Sequence, residues 1–169
     1  MLEQELGYGM FMTQNYLLWT KMKKAIIVSG CVGTGKSKIA KKISKEKNYK
    51  YVDITKLIKK YNLSEGYDKK RKSLIVDTKK LNKVLIGLIK NSKETLIIGG
   101  HLSHYLDKEY VKLCIITKCN LKELKRRLEK RGYSKSKIRE NLDAEIFDTC
   151  RIEALERKHK VKIIYTSKN

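Results

Sequence analysis

Proline is absent from this sequence, and no linker-like stretch takes its place. A chain of 169 residues without such punctuation is expected to fold as one domain, long enough to bury a substantial core. No apolar run approaches the roughly 20 residues of a membrane span, so no membrane partner is expected. Cysteine is sparse: Cys31, Cys114, Cys119 and Cys150 form no C-x-x-C pair. That argues against a zinc site or a disulfide framework and for a reducing, cytoplasmic setting. Cys114 lies within an apolar run and reads as a core residue. Acids are also few, 18 against 40 Lys and Arg, for a net charge of +22. The first twenty residues hold Glu3 and Glu5 and no base, which excludes a secretory signal with its positive n-region. The remainder therefore carries +24 and would attract polyanions such as nucleotide, RNA or an RNA-rich particle. Well-solvated lysine-rich helix faces explain the same excess, so charge alone does not establish RNA binding. Disorder is excluded by the 41% hydrophobic content, despite 34% charged residues.

What is present is more specific. Gly30-Cys31-Val32-Gly33-Thr34-Gly35-Lys36-Ser37 fits G-x-x-x-x-G-K-[ST] at every required position. Ala25-Ile26-Ile27-Val28 precedes it and reads as a buried parallel strand. Ile39, Ala40 and Ile43 follow it at helical spacing. Strand, glycine loop and helix together predict a phosphate cradle. Its backbone N–H groups form an anion nest at a helix N-terminus. Gly30, Gly33, Thr34, Gly35, Lys36, Ser37 and Lys38 are the expected nucleotide-binding residues. Gly33 and Gly35 allow close backbone approach, Lys36 reaches the β- and γ-phosphates, and the Ser37 hydroxyl ligates Mg²⁺. A glycine-rich turn with a chance lysine is the alternative, and both flanks argue against it.

Further strands are expected at 50–54, 95–99, 111–117 and 161–166, after a first at 24–29. Helices are expected at about 36–47, 55–61, 77–91, 120–131 and 134–158. This alternation predicts an α/β fold with a mostly parallel sheet covered on both faces. Asn120 is a good N-cap with Glu123 as its capping-box partner, and Gly132 ends that helix as a C′ glycine. The polar stretch from Ser64 to Ser73, with Gly66, reads as a loop or mobile insertion over the site. Met22-Lys23-Lys24-Ala25 leads directly onto the first strand. Residues 1–21 read either as an extension outside a 22–169 domain or as an amphipathic segment docked on its surface.

Taken with the loop, Gly66-Tyr67-Asp68, Gly100-His101, Arg131-Gly132-Tyr133, Glu140-Asn141 and Glu145-Ile146-Phe147 give a sequence that resembles the adenylate kinase isoenzyme 6 family. These are small nucleotide kinases also tied to small-ribosomal-subunit maturation, and the resemblance spans about residues 23–168. It implies a P-loop NTPase three-layer sandwich with a five-stranded parallel sheet. An NMP-binding insertion would lie near 53–76 and a short lid near 130–140. It also implies that Arg131, at the lid base, contacts ATP. Arg127, one helical turn earlier, would share in clamping charge on the transferred phosphoryl group; a solvated basic helix is the plainer reading of 122–131. Lys168 falls near a position where the family contacts adenine.

Two departures from the family pattern stand out. The acidic position two residues before the histidine at the end of the third strand is Gly99 here, in Ile97-Ile98-Gly99-Gly100-His101. Metal would then rest on Ser37, phosphate oxygens and water, or on an acid from elsewhere, with Asp53 and Asp77 as candidates. His101 could orient a water or hydroxyl near the phosphates, or hydrogen-bond within a loop. His104 reads as structural, with a metal pair as the alternative. The family also continues past the last strand with another helix, whereas this chain reads Ser167-Lys168-Asn169 there; apolar sheet surface would be exposed or covered by the first residues or a partner. The resemblance implies Mg²⁺-dependent phosphoryl transfer from ATP to AMP, with ATPase activity. The competing readings are an ATP-driven assembly factor that binds a small-subunit ribosomal protein or rRNA, and a P-loop kinase for shikimate or another nucleotide.

Overall fold

The computed structural model describes residues 24–69 and 73–167. The expected extension at 1–21 and the expected adenine contact Lys168 lie outside the described residues. β1 (Ala25–Ser29) is the middle strand of the main sheet. Its side chains alternate between faces: Ala25 and Ile27 enter one apolar cluster, while Val28 and Ile26 enter another. A strand buried on both sides is what its unbroken apolar run demands. β1 pairs in parallel with β5 (Leu96–Gly99) and β6 (Val111–Lys118). β2 (Lys50–Asp53) joins β5, and β7 (Val161–Tyr165) joins β6, both parallel. The order is β2-β5-β1-β6-β7, the expected five-stranded parallel sheet.

Helices cover both faces. α1 (Lys36–Lys47) lays Ile39, Ala40 and Ile43 on the side of Val28, Ile97 and Ile115. The opposite face receives α2 (Ile54–Lys60), α3 (Thr78–Asn91) and α6 (Thr149–Glu156). α3 presents Leu81, Leu85 and Ile89, one per helical turn, each at most 2% exposed. Burying each of these contributes roughly 1.5–3 kcal/mol. α4 (Leu121–Lys130) and α5 (Lys135–Ile146) enclose a third cluster of Cys119, Leu124, Leu128 and Ile138, against which Val32 of the glycine loop packs. Among the described residues no helix is long and apolar enough to cross a membrane.

Local signals behave largely as expected. Asn120 caps α4 by accepting from the Glu123 N–H at 2.8 Å. The capping box is not reciprocal, however. Arg126 and Arg127 bind the Glu123 carboxylate, and the Asn120 N–H donates to Ser167 Oγ at 2.9 Å. Gly132, at φ 72°, takes the left-handed position after α4.

Two expectations need correction. The stretch from Ser64 is not a loop but an antiparallel hairpin, β3 (Ser64–Asp68) with β4 (Ser73–Val76), forming a small sheet of its own. Its polar composition hid the strands, and its apolar side chains Tyr67, Leu74 and Ile75 are exposed. The long helix expected over 134–158 is interrupted. Asp148 sits at φ 55° between α5 and α6, its carboxylate bound by Lys118 Nζ at 2.9 Å and by Arg151. These anchors outweigh helix propensity at that residue.

Candidate active site

The chain leaves β1 through a loop whose glycines are needed for packing. Gly30 has φ 135°, and a Cβ there would lie 2.5 Å from the Thr117 carbonyl oxygen. Gly33 has φ 91°, and a Cβ there would lie 2.8 Å from Leu124 Cδ1. Gly35, at φ 89°, is the N-cap of α1 and supplies no side-chain cap. By contrast, Asp53, Asp77, Asn120 and Ser134 cap α2, α3, α4 and α5. The first turn of α1 is thus left uncapped by any side chain at its positive dipole end, where an anion is stabilised.

Beside this turn lies a cavity of about 390 Å³, lined by Val32, Gly33, Gly35, Lys36, Ser37, Lys38, Asp53, Thr55, Gly99, Gly100, His101, Arg131 and Tyr133. Lys36 Nζ donates to the carbonyls of Gly30 at 3.0 Å and Cys31 at 2.7 Å. Burial pushes its pKa down to about 8, because a desolvated ammonium is disfavoured. A second cavity, of about 370 Å³, is lined by Gly33, Gly35, Lys38, Ile39, Arg127, Arg131 and Thr166. Gly33, Gly35, Lys38 and Arg131 border both.

Of the expected site residues, Gly33, Gly35, Lys36, Ser37, Lys38, His101 and Arg131 converge on the first cavity. Thr34 and Gly30 shape the loop instead of lining that cavity. Thr34 Oγ1 lies 2.8 Å from the Cys31 carbonyl and 2.7 Å from Thr117 Oγ1, fully buried. Arg127 borders only the second cavity, and its guanidinium is engaged. It binds Glu123 at 2.8 Å, the Gly33 carbonyl at 3.3 Å, and Thr166 Oγ1 and O at 3.0 and 2.9 Å. It therefore ties α4 to the glycine loop and to the end of β7.

The two histidines differ sharply. His104 is fully buried. Its Nε2 contacts Glu153 Oε2 at 2.8 Å and its Nδ1 contacts Ser29 Oγ at 2.6 Å. Burial pushes its pKa down to about 4, so near neutral pH it is an uncharged brace between β1 and α6. Both its nitrogens are occupied, which leaves no room for a metal pair with His101. His101 lines the cavity, with Nδ1 3.2 Å from the Gly30 carbonyl and 3.8 Å from Cys150 Sγ. Cys150 Sγ is in turn 3.8 Å from Cys31 Sγ. The Cys31 thiol and His101 draw the Cys150 thiol below its ordinary value, while the Cys150 contact raises His101. This Cys31–Cys150–His101 group was not legible in advance, since 119 residues separate the two thiols. Thr55 also lines the cavity without an earlier signal. Asp77 is absent from the cavity lining and caps α3. Among the described residues no group of three or more His, Cys, Asp or Glu is arranged to hold a metal ion.

Comparison with known proteins adds independent information. A family model described as an AAA domain matches residues 26–148. A Methanocaldococcus jannaschii protein named "Putative adenylate kinase" is 38% identical over 136 residues, covering 80% of this chain and 75% of its own length. The Saccharomyces cerevisiae adenylate kinase isoenzyme 6 homolog FAP7 is 39% identical over 132 residues, 78% of this chain and 66% of its own. Among solved structures, a shikimate kinase from Acinetobacter baumannii in complex with shikimate superposes with TM-score 0.58 at 12% identity, covering 89% of each chain. A gluconokinase from Sinorhizobium meliloti gives TM-score 0.51 at 14% identity, covering 88% of this chain and 85% of its own. At such identities these two speak for the fold alone.

Proposed function

The chain belongs to the adenylate kinase isoenzyme 6 family of P-loop nucleotide kinases, and on that premise we propose that it transfers the γ-phosphoryl group of ATP to AMP, yielding two ADP. The observation that carries this reading is the convergence of Lys36, Ser37, Lys38, His101 and Arg131 on one cavity beside a helix N-terminus that no side chain caps. Phosphoryl transfer needs little covalent help from the protein, so positioning and charge stabilisation suffice. Backbone N–H groups at the start of α1 hold the phosphate tail. Lys36 exchanges its two loop carbonyls for β- and γ-phosphate oxygens. Arg131 borders both cavities and so spans the donor and the transferring group, neutralising charge as it develops. His101, held by the Gly30 carbonyl, orients the attacking oxygen. Segment 53–76 brings the acceptor, and segment 130–140 closes to exclude water.

Ser37 would help hold Mg²⁺, and such an ion would supply charge neutralisation at the phosphates. The hydroxyl of Ser37, exposed at the cavity, is the hard oxygen donor such an ion prefers. The experiment is ADP formation from ATP with and without AMP. Formation that requires AMP supports the kinase; ATP consumption indifferent to AMP removes it.

A second reading, an ATPase that binds a ribosomal protein or rRNA, draws support from the net charge of +22. ATP hydrolysis stimulated by such a partner and not by AMP would favour it.

A further inference from the structure

The end of β5 carries Gly99 where the family resemblance places an acid, and a side chain there would be tightly crowded. A Cβ on Gly99 would lie 3.0 Å from Tyr51 Cε2 and 3.2 Å from its hydroxyl, with Ala40 Cβ at 3.3 Å. Tyr51 fills that space from the neighbouring strand. The parallel register of β2 with β5 sets Tyr51 against Ile97 and Asp53 against Gly99. With a repeat of two, Asp53 shares the sheet face of Tyr51, the face that α1 covers. A carboxylate thus stands at the same level of the sheet, one strand spacing of about 4.8 Å away.

Asp53 and Ser37 line the same cavity. The Tyr51 hydroxyl reaches Asp53 Oδ2 at 3.4 Å. Asp53 Oδ1 is occupied as the cap of α2, accepting from Thr55 N–H at 2.9 Å and Lys56 N–H at 3.3 Å. These bonds fix the carboxylate, and among the described residues Oδ2 has only the long phenol contact. Asp77, the other acid in question, spends its carboxylate on capping α3 and pairing with Lys80.

We propose that Asp53 is the acidic anchor for the divalent cation that accompanies ATP, acting with Ser37 and replacing the carboxylate absent at Gly99. The inference rests on the phosphate-binding reading above. A magnesium-type ion keeps several waters, so Asp53 acts on it directly or through one of them.

The test is a Mn²⁺ titration followed by electron paramagnetic resonance, with a non-hydrolysable ATP analogue bound. Asp53→Asn retains a capping oxygen, so α2 and the fold survive and only the charge is lost. Mn²⁺ affinity in this ternary complex should weaken about tenfold or more, while analogue binding in EDTA stays at the wild-type level. Asp77→Asn should leave Mn²⁺ affinity unchanged. Equal Mn²⁺ affinity in Asp53→Asn and wild type overturns the proposal, as does a loss seen in Asp77→Asn instead. Wild-type protein that binds no analogue even in EDTA is a different failure: it removes the phosphate-binding reading and this inference with it.

Discussion

The glycine loop and the β3–β4 hairpin are both expected to handle nucleotide, yet they are built on opposite terms. In the loop, Gly30 and Gly33 leave no space for a Cβ, Thr34 is fully buried, and Lys36 is tied to two carbonyls. In the hairpin, a Cβ on Gly66 would find, among the described residues, only Ile75 Cδ1 at 3.8 Å, and Tyr67, Leu74 and Ile75 are 55%, 47% and 50% exposed. The loop is preorganised by contacts reaching across β1, β6 and α4. The hairpin has few buried contacts and belongs to the low-stability part of the fold, from which moving elements are drawn. A rigid cradle for the donor beside an adaptable element for the acceptor suits a reaction that depends on closure.

The largest effect that would break this contrast is at Gly33. Gly33→Ala adds a methyl against Leu124 at a positive φ. Strain and overpacking together should cost about 2–4 kcal/mol, read from the urea midpoint, and ATP binding should be lost with them. A variant as stable as wild type would show that the loop yields easily.

An intermediate effect comes from pH. The Lys36 pKa, lowered by burial to about 8, leaves the ammonium intact below that value and neutral above it in the unliganded protein. ATP needs the ammonium, so affinity should be flat from pH 7 to 8. It should then fall by up to about tenfold per unit above 8, with proton uptake on binding measurable by calorimetry in two buffers. For the unliganded fold the sign is opposite. Between about 8 and the ordinary lysine value near 10.4 the unfolded chain binds more protons at this residue, so its contribution to stability rises with pH. Affinity that stays level through pH 9 would contradict a buried, phosphate-facing lysine.

The smallest effect is at the hairpin. Among the described residues Gly66→Ala meets no contact closer than ordinary van der Waals distance and should change stability by less than about 0.5 kcal/mol. A loss comparable to that of Gly33→Ala would erase the distinction between the two regions.

These regions also differ in how far they could be read beforehand. The loop, β1 and α1 are legible because their signals are local: glycine spacing, an apolar run and a helical repeat within about twenty residues. The parallel α/β class follows from the alternation of strand and helix, while the order β2-β5-β1-β6-β7 had to come from the structure. The hairpin is not legible, because Ser64–Asp68 carries no apolar alternation and pairs only through its partner strand. The break at Asp148 depends on Lys118, 30 residues earlier. Arg127 looks like a free cation in a basic helix, but Thr166, 39 residues later, holds it. Asp53 and Asp77 could not be ranked until strand register set Asp53 beside Gly99. In each case the deciding contact is distant in the chain.

The central claim is that the Gly30–Ser37 loop, through Lys36, holds the phosphate tail of ATP. Calorimetric titration of ATP into wild type and Lys36→Ala at pH 7 tests it most directly. A charge-assisted hydrogen bond to phosphate contributes about 1.5–3 kcal/mol, so the variant should bind roughly ten- to a hundredfold more weakly while its thermal unfolding is little changed. Equal affinity in the two proteins would contradict the claim.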